Sequence, residues 1–394
     1  MPGSLRVLHV TTGLATGGAE MMLLRVTSRS DRERFTHAVV SLGPEGTLAP
    51  RFREAGLDVH SLGASALRPR LAALRARIRA FDPALIQGWM YHGNVAATLG
   101  RGLARSRAAL AWNIRQTLYD LRNEKRFTAG VIRTGALLSR FPDAIIYNSA
   151  TSAVQHETLG YDSRRRRLIP NGFDCAAFAP DAQARARVRS QLGLLESDVV
   201  VGLVTRYHPM KDHMTFVASA AQVAARHPQA RFLLVGRGVG ATESGIVAAL
   251  ERAGLRERTI VQDEREDMPD VYNALDIACS SSAWGEGFSN AVGEAMACGV
   301  PCVVTDVGDS ATIVAQTGVI VPPRDAAALA AAIDQLVAGG SQRRQALGMA
   351  ARQRIEEHYA LPAIVAQYEA LYESLTQRDA STRRSSSPLP MADR

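Results

Sequence analysis

The stretch "DIACSSSAWGEGFSNAVGEAMACGVPCVVTD", residues 276–306, joins two short apolar runs through a glycine-rich loop and a helical segment. The flanking runs, "DIACSSS" and "PCVVTD", have the length and continuous apolar character of strands buried in a parallel sheet. Asn290 is a suitable N-cap for the helix between them, and Gly299 with Pro301 supplies a stop signal. The stretch therefore predicts a β-α-β unit with a polar loop after its first strand.

The same alternation of strand-like and helix-like segments runs along the whole chain. The N-terminal half carries six further runs: "RVLHV" (6–10), "THAVVSL" (36–42), "LDVHSL" (57–62), "ALIQGW" (84–89), "AALAWNI" (108–114) and "DAIIYNS" (143–149). The C-terminal half adds "VVVGLVT" (199–205), "ARFLLVG" (230–236) and "RTIVQD" (258–263). Two such series predict an α/β protein of two Rossmann-like, doubly wound domains. Ligands bind beyond the carboxyl ends of the strands in such sheets, so we expect the site in a cleft between the domains.

The domain boundaries follow from turn signals and composition. Proline and glycine in "RRRRLIPNGFDCAAFAP" (164–180) place the boundary between a domain at 1–168 and a second at 169–360. A last helical pattern predicts a return helix at 361–377. The polar, Ser/Pro-rich residues 378–394 predict a disordered tail.

Length and composition narrow the class of protein. A chain of 394 residues with 46% hydrophobic residues can fill two globular cores. Its apolar runs fall short of the roughly 18 residues of a spanning helix, and it enters its first strand without a leader pattern, so we expect a cytoplasmic protein. The four cysteines show neither a CxxC pair nor metal-ligand spacing, which predicts buried free thiols: Cys175, Cys279, Cys298 and Cys302.

Positive charge is concentrated in the N-terminal half. Residues 1–167 hold 25 Lys+Arg against 12 Asp+Glu, whereas the remainder holds 21 against 26. A basic domain suits an acidic partner such as an anionic membrane surface or a phosphorylated acceptor. RNP-like and zinc-finger patterns are absent from the sequence, and only 6% of residues are aromatic, so nucleic acid is not the expected partner.

Two motifs follow strands of the N-terminal half. "TTGLATGGAE" (11–20) lacks the spacing of a dinucleotide fingerprint or a P-loop, yet Gly17 and Gly18 would let a ligand approach the start of a helix. A tight packing turn explains the pair equally well. "MYHGN" puts His92 and Asn94 where a strand passes into a helix. Such a histidine is either a structural hydrogen-bonding group or a functional one.

Three motifs follow strands of the C-terminal half. "VTRYHPMKDH" (204–213) places Arg206 and Lys211 on one short loop, where two fixed cations suit a diphosphate, unless they form only a solvated turn. "LLVGRGVG" (233–240) is better explained as a turn than as a nucleotide motif. Glu294 near a helix N-terminus is favourable electrostatically. Glu286 gains nothing from the helix, which favours a functional role for it.

Together "GGAE", "RYHPMKDH", "PNGFD" and the segment from Glu286 to Glu294, an E-x7-E pattern, closely resemble retaining GT-B glycosyltransferases of family 4, over about residues 6–377. The resemblance implies a C-terminal domain that holds a nucleotide sugar and an acceptor-side N-terminal domain on which the last helix packs. It implies transfer of a sugar to a saccharide or polyprenyl-linked hydroxyl with retention, in cell-surface polysaccharide (exopolysaccharide or lipopolysaccharide) synthesis. No cofactor or metal is implied.

The resemblance also assigns roles to residues. Arg206 and Lys211 would neutralise the donor diphosphate, Glu286 would hold sugar hydroxyls, and Glu294 would bind the ribose. The backbone amides of Phe288, Ser289 and Asn290 would lie beside Glu286. On the N-terminal domain, Gly17 and Gly18 would form the opposing wall, and His92 would lie near the reacting centre, with Asn94 binding substrate.

Other interpretations remain at this point. Glu286 and Glu294 would serve a glycoside hydrolase as a carboxylate pair, although a hydrolase needs no diphosphate clamp. A nucleotide-sugar epimerase or a sugar-binding module are further alternatives. Gln262 and Asp263 stand where many family members have glycine, close to the expected nucleotide base, so the sequence leaves open a UDP, GDP, ADP or dTDP donor. Residues 118–141 mix five cations with apolar residues, which suggests docking on an anionic membrane or, equally, a buried helix with a basic face.

Overall fold

The computed structural model describes residues 4–63, 66–240 and 245–385. The chain divides into two compact units. The N-terminal unit comprises the residues up to Pro170 together with those from Pro362 onward, and the C-terminal unit is Asn171–Leu361. The sequence placed this boundary after residue 168, two residues before its position in the structure.

The N-terminal unit is built on a parallel sheet of seven strands in the order β3-β2-β1-β4-β5-β6-β7. The strands are β1 (Leu5–Thr11), β2 (Phe35–Ser41), β3 (Asp58–Ser61), β4 (Leu85–Trp89), β5 (Ala109–Ile114), β6 (Ala144–Tyr147) and β7 (Arg166–Leu168). The helices that connect them are α1 (Gly18–Arg29), α2 (Ala49–Glu54), α3 (Leu67–Phe81), α4 (Met90–Ala104), α5 (Arg126–Leu138) and α6 (Ala150–Thr158).

The C-terminal unit is built on a parallel sheet of six strands in the order β10-β9-β8-β11-β12-β13. The strands are β8 (Val199–Val204), β9 (Ala230–Val235), β10 (Thr259–Gln262), β11 (Ile277–Ser280), β12 (Cys302–Thr305) and β13 (Gly318–Val321). The helices are α7 (Ala182–Gln191), α8 (His213–Arg226), α9 (Ile246–Arg252), α10 (Met268–Asn273), α11 (Asn290–Ala297), α12 (Ser310–Val314), α13 (Ala326–Ala338) and α14 (Gly340–His358). The predicted pair of doubly wound parallel sheets is therefore confirmed.

The two faces of the N-terminal sheet have different coverings. Successive side chains of a strand point to opposite faces, so Leu8 and Val10 of β1 pack in the core shared with α3, α4 and α5. His9, between them, points to the other face, where it lies against Tyr372. Tyr372 belongs to the last helix, α15 (Leu361–Ser385), which covers that second face.

Polar contacts fix α15 to the N-terminal sheet. The Asn113 side chain of β5 donates to the Tyr368 hydroxyl at 3.0 Å. The buried Glu369 carboxylate accepts a hydrogen bond of 2.8 Å from the Ser30 hydroxyl at the end of α1. These groups lie inside the unit, where each would be costly to leave unpaired, so they fix the register of the helix on the sheet.

The end of α15 corrects one expectation. The sequence predicted a return helix ending at residue 377 and a disordered tail from 378. The helix instead continues to Ser385. The added residues include alanine and arginine, both good helix formers, and no glycine or proline. The rest of the predicted tail, 386–394, lies outside the described residues.

Candidate active site

Four loops of the C-terminal unit meet at one edge of its sheet. Strands β9, β8, β11 and β12 are neighbours in that order and all run parallel, so the loops after them emerge side by side. Arg206 and Lys211 follow β8, Arg237 follows β9, and Glu286 follows β11. The structure thus places three of the seven predicted site residues of this unit, Arg206, Lys211 and Glu286, on adjacent loops.

Backbone and hydroxyl contacts join the loop after β8 to the loop after β11. Lys211 closes a 3-10 turn, Pro209–Lys211, and its carbonyl accepts a hydrogen bond of 2.8 Å from the Ser281 hydroxyl. The Ala283 amide donates to the Met210 carbonyl at 2.7 Å. These contacts hold the Lys211 side chain next to the loop that carries Glu286.

Lys211 and Glu286 form a nearly buried ion pair. The Lys211 ammonium contacts the Glu286 carboxylate, and the Ser282 hydroxyl donates to the same carboxylate at 2.9 Å. Only 16% of the Lys211 side chain and 11% of the Glu286 side chain are exposed. Burial raises the pKa of Glu286, but the Lys211 charge, the two hydrogen bonds and the Arg206 charge outweigh it and hold that pKa below its ordinary value. Glu286 is therefore an anionic acceptor for hydroxyl groups.

Arg206 and Arg237 add positive charge at the same edge. The Tyr207 amide donates to the Arg237 carbonyl at 2.9 Å, which ties the loops after β8 and β9 together. Partial burial and the nearby Arg237 charge lower the pKa of Arg206, while Glu286 opposes this shift. Three cations beside one carboxylate leave this edge with a net positive charge that suits a diphosphate.

The loop carrying Glu286 is held in shape by contacts from two other segments. The Asn171 side chain donates to the Phe288 carbonyl at 3.0 Å and to the Asn290 side chain at 2.7 Å. The Asp309 amide donates to the Gly287 carbonyl at 2.9 Å. Gly308 has a φ of +61°, and a Cβ there would lie 2.0 Å from the Glu286 carbonyl oxygen. Only glycine permits this approach.

The start of α11 differs slightly from expectation. The sequence placed Asn290 at the N-cap, but Ser289 holds that position and Asn290 is the first helical residue. The Asn290 side chain instead accepts a hydrogen bond from Asn171. Phe288 anchors the preceding loop, since its ring is buried and lies 5.2 Å from the Tyr359 ring. The first amides of a helix have no partner inside it, so those near Ser289 and Asn290 can donate to a ligand.

Glu294 has surroundings different from those of Glu286. It is the fifth residue of α11, just beyond the first turn of the helix. The buried Tyr272 hydroxyl donates to its carboxylate at 3.4 Å. Burial first, and then the Glu294 charge, raise the pKa of Tyr272, which keeps the phenol protonated as a donor. Glu286 is thus paired with Lys211 and Ser282, whereas Glu294 accepts a hydrogen bond from Tyr272.

The remaining predicted site residues belong to the N-terminal unit. Gly17 is the N-cap of α1 and Gly18 its first residue, directly after the loop that follows β1. A Cβ on Gly17 would lie 2.4 Å from the Glu20 carboxylate, so the helix start is compact. Strand β4 lies next to β1 in the sheet and leads into α4, which carries His92. The glycine pair and His92 thus follow neighbouring strands.

His92 and Asn94 lie on one helix but in different environments. His92 is half-buried, and its ring stacks on Phe127 at 5.5 Å between centroids. Burial lowers its pKa, which favours the neutral imidazole. Asn94 is buried and bridges to β5, accepting from the Asn113 amide at 3.2 Å and donating to the Asn113 carbonyl at 3.4 Å. Its contacts are those of a structural clamp, and its substrate role stays a prediction.

Three residues of this site were not singled out from the sequence. Arg237 lay inside a glycine-rich turn, Ser282 was treated as part of a strand, and Asn171 belonged to a motif used only for family resemblance. Arg237 carried a usable signal, a cation directly after a strand. Asn171 acts through a contact 117 residues away along the chain, which spacing alone does not reveal.

Metal-binding clusters and membrane-spanning helices were searched for in residues 4–63, 66–240 and 245–385. Within these ranges, groups of three or more His, Cys, Asp or Glu side chains able to hold a metal ion are absent. The helices found there are also too short or too polar to cross a bilayer.

Comparison with known proteins identifies the family of the chain. Residues 16–177 match the family described as "Glycosyltransferase Family 4", and residues 198–339 match "Glycosyl transferases group 1". The lipopolysaccharide core biosynthesis mannosyltransferase LpsB of Rhizobium meliloti is 30% identical over 247 residues, 60% of this chain and 67% of that protein. A D-inositol 3-phosphate glycosyltransferase of Geodermatophilus obscurus is 32% identical, and the match covers 59% of this chain and about half (54%) of the relative.

Solved structures share the fold. Anabaena HepE in complex with UDP-glucose has a TM-score of 0.83 at 22% identity, covering 94% of this chain and all (100%) of that one. The sucrose-phosphate synthase of Thermosynechococcus elongatus has a TM-score of 0.79 at 21% identity, covering 95% of this chain and 100% of its own. With both halves of the chain matched and two thirds of LpsB covered, the chain belongs to glycosyltransferase family 4 and is a glycosyltransferase.

Proposed function

We propose that this enzyme transfers a sugar from a nucleoside-diphosphate donor to a hydroxyl of a saccharide or polyprenyl-linked saccharide, with retention of anomeric configuration. The observation that carries the proposal is the cluster of Arg206, Lys211 and Glu286 on adjacent strand-end loops. Cations fixed beside a carboxylate suit a ligand with a diphosphate at one end and sugar hydroxyls at the other. HepE, which shares the fold, was crystallised with UDP-glucose, and this supports a nucleotide-sugar donor.

The proposed mechanism assigns a task to each group. As the bond between the sugar C1 and the diphosphate breaks, its electron pair moves to the phosphate oxygen, and Arg206 and Lys211 stabilise that charge. Such preorganised electrostatic stabilisation is usually the largest catalytic contribution. Glu286 accepts hydrogen bonds from donor-sugar hydroxyls, and Glu294 from the ribose. The acceptor hydroxyl forms the new C1–O bond on the face the diphosphate leaves, and the departing phosphate takes its proton.

The cations take over the role that a divalent metal plays in other transferases, so we propose that the enzyme needs no metal or cofactor. Turnover should be unchanged by excess EDTA, measured after removal of divalent ions from every reagent. A loss of activity in EDTA that Mg²⁺ or Mn²⁺ restores would contradict metal independence while leaving the transferase assignment intact.

The nucleotide base of the donor and the acceptor are determined by two separate experiments. A thermal-shift screen over UDP-, GDP-, ADP- and dTDP-sugars should give one class that raises the melting temperature, because a ligand that binds only the folded state stabilises it. Product analysis should then show a glycoside with retained configuration when a saccharide acceptor is added. An epimerised donor as the main product without acceptor, or hydrolysis of aryl glycosides without nucleotide, would overturn the proposal.

The proposed biological setting rests on two similar proteins. LpsB is named for lipopolysaccharide core biosynthesis, and the outer core galactosyltransferase WaaB shares the fold at a TM-score of 0.64. We therefore propose a role in bacterial cell-surface polysaccharide synthesis. Polyprenyl-linked acceptors reside in the membrane, so the enzyme would work in the cytoplasm as a peripheral protein on the inner face of the cytoplasmic membrane.

A further inference from the structure

Three helices on one face of the N-terminal sheet carry charge of a single sign. α3, α4 and α5 together contain eight arginines and no aspartate or glutamate. The face covered by α15 is different, because Glu369 and Glu373 of that helix pair with Arg34. Eight of the 25 Lys+Arg residues of the N-terminal half therefore lie on α3, α4 and α5, with no acidic residue on the same helices.

These three helices form a continuous layer. Leu74 and Ile78 of α3, Ala97 of α4 and Ile132 of α5 all belong to one core with the strands beneath them. A Cβ on Gly100 of α4 would lie within 3.0 Å of Leu74 and Ile78, so α3 and α4 are in close contact. α4 also packs along α5. The outward sides of α3, α4 and α5 therefore make one surface, which we call the basic face.

The basic face exposes large apolar side chains between its arginines. On α5 and just after it, Phe127 is 76% exposed, Leu137 74% and Phe141 49%. On α4 the exposed pair is Leu99 and Leu103, at 44% and 49%. Arginines exposed beside them include Arg75 on α3 and Arg126 and Arg133 on α5. A solvated basic helix has no need of exposed phenylalanine and leucine, so the combination indicates a partner that is both apolar and anionic.

We propose that the basic face docks on an anionic phospholipid bilayer. Apolar side chains enter the headgroup–acyl boundary while arginines contact lipid phosphates, which is the recognition mode of interfacial helices. Nucleic acid fits less well, because exposed leucines gain nothing from phosphates or base edges. A second copy of this face would set arginines against arginines, and that repulsion disfavours self-association.

Docking would bring the membrane close to His92. Phe127, the most exposed apolar residue of the face, stacks on His92. A bilayer contacted by α5 therefore lies next to the residue proposed to stand near the reacting centre. A polyprenyl-linked acceptor would then be presented from the membrane, a consequence that rests on the proposed transferase function. The docking itself does not depend on it.

The test is vesicle co-sedimentation of the full chain without donor. Vesicles of phosphatidylcholine alone are compared with vesicles of phosphatidylcholine and phosphatidylglycerol, at low and at high salt. We expect binding to the anionic vesicles that weakens as salt rises, since the phosphate contacts are screened. No sedimentation with anionic vesicles, or equal sedimentation with both compositions, would overturn the proposal.

Two double variants separate the charge from the apolar contribution. Arg75→Glu with Arg133→Glu should weaken partitioning by at least about thirtyfold, because two lipid-facing cations are lost and two anions replace them. Leu103→Ser with Leu137→Ser should weaken it about tenfold, because less apolar area is buried. The matched controls lie on the C-terminal unit: Arg252→Glu with Arg343→Glu, and Leu195→Ser with Met349→Ser, all at exposed positions. Controls that bind as weakly as the test variants would overturn the proposal.

Folding and catalysis are monitored in parallel. Each variant should keep its melting temperature within a few degrees and its activity on a water-soluble acceptor. Retained transfer without vesicle binding would refute docking and leave the transferase proposal standing, whereas vesicle binding without transfer would do the reverse. Binding to a fluorescent DNA duplex but not to anionic vesicles would show that the basic face binds nucleic acid, and it would overturn the membrane proposal.

Discussion

The two units share a doubly wound architecture but hold their polar groups in different ways. In the C-terminal unit, charges gather at the strand ends, where Lys211 is paired with Glu286 and Arg206 lies near Arg237. In the N-terminal unit, the interior holds neutral histidines such as His9 and His37, and the charge lies on the outer side of α3, α4 and α5. The C-terminal unit gathers ionised groups at its strand ends, whereas the N-terminal unit buries neutral histidines together with one paired carboxylate, Glu369. The two should therefore respond differently to pH and to substitution.

Acid should have the largest effect, and mainly on the N-terminal unit. The Trp89 indole donates to His9 at 3.1 Å, and His9 lies 2.9 Å from His37, an arrangement that fits two neutral rings. Burial, and for His9 also the nearby His37, lowers both pKa values, that of His37 to about 4. A third histidine, His156, likewise has its pKa lowered to about 4 by burial.

The direction of the pH effect follows from these lowered pKa values. The unfolded chain binds protons near pH 6.5 while the folded unit does not, so stability is full above about 6.5 and falls as the pH drops toward 4. Each histidine contributes up to about 1.4 kcal/mol per pH unit in that window. Among the described residues of the C-terminal unit, only one histidine, His213, has its pKa lowered to about 4.

Tryptophan fluorescence can follow each unit separately. The three tryptophans are Trp89 and Trp112 in the N-terminal unit and Trp284 in the C-terminal unit. Trp284→Phe therefore leaves reporters of the N-terminal unit alone. Its acid transition should move to lower pH with His37→Gln, which keeps an acceptor for His9 but gains no proton. The exposed His60→Gln is the control. A transition that His37→Gln does not move would contradict the assignment.

The next largest effect is expected from removing Lys211, a cation at the strand ends of the C-terminal unit. Lys211→Ala should lower kcat by about a thousandfold, because it removes charge stabilisation of the leaving diphosphate and leaves Glu286 without its ion-pair partner. Steady-state kinetics with saturating acceptor measures this. Arg252→Ala, an exposed cation of the same unit, should leave kcat unchanged. Full turnover of Lys211→Ala would exclude Lys211 from the diphosphate site.

A backbone change tests whether the Glu286 loop needs its close contact. Gly308→Ala places a methyl group against the Glu286 carbonyl and should cost about 3 kcal/mol of stability along with donor binding. Gly254→Ala is matched to it, since Gly254 has a φ of +65° in open space, and should cost only about 1 kcal/mol. Chemical denaturation and donor titration of both variants provide the comparison. Equal losses would show that the contact is unimportant.

Local sequence pattern predicted most of the fold. Eleven strands follow from short apolar runs, because burial on both sides of a parallel sheet demands such runs. β7 and β13 were missed, and both are edge strands of their sheets. β7 reads "RRL", since an edge strand is only partly buried and tolerates arginine. The predicted disordered tail begins too early at residue 378, because polar residues with good helix propensity can still continue a helix.

The candidate site was predictable where one loop carried its own signal. Arg206, Lys211 and Glu286 are charges at strand ends, a position that local pattern reveals. The contacts of Asn171, Gly308 and Arg237 depend on which strands are neighbours, and that information is non-local. The one-residue error at the α11 cap is of a different kind, because helix ends commonly vary by one residue around a capping signal.

The smallest expected effect concerns Arg237, the cation that sequence reasoning missed. Burial first, and then the Arg237 charge, lower the pKa of Arg206, so the two guanidinium groups repel each other until an anion lies between them. Arg237→Ala should therefore leave the melting temperature of the free enzyme unchanged or slightly raised, while donor affinity falls about tenfold through the loss of one charge-assisted contact. Calorimetric titration with the donor identified by thermal shift measures the affinity, and Arg252→Ala is the control. If donor binds Arg237→Ala as tightly as it binds the parent enzyme, the positive charge at this strand edge serves the diphosphate through Arg206 and Lys211 alone.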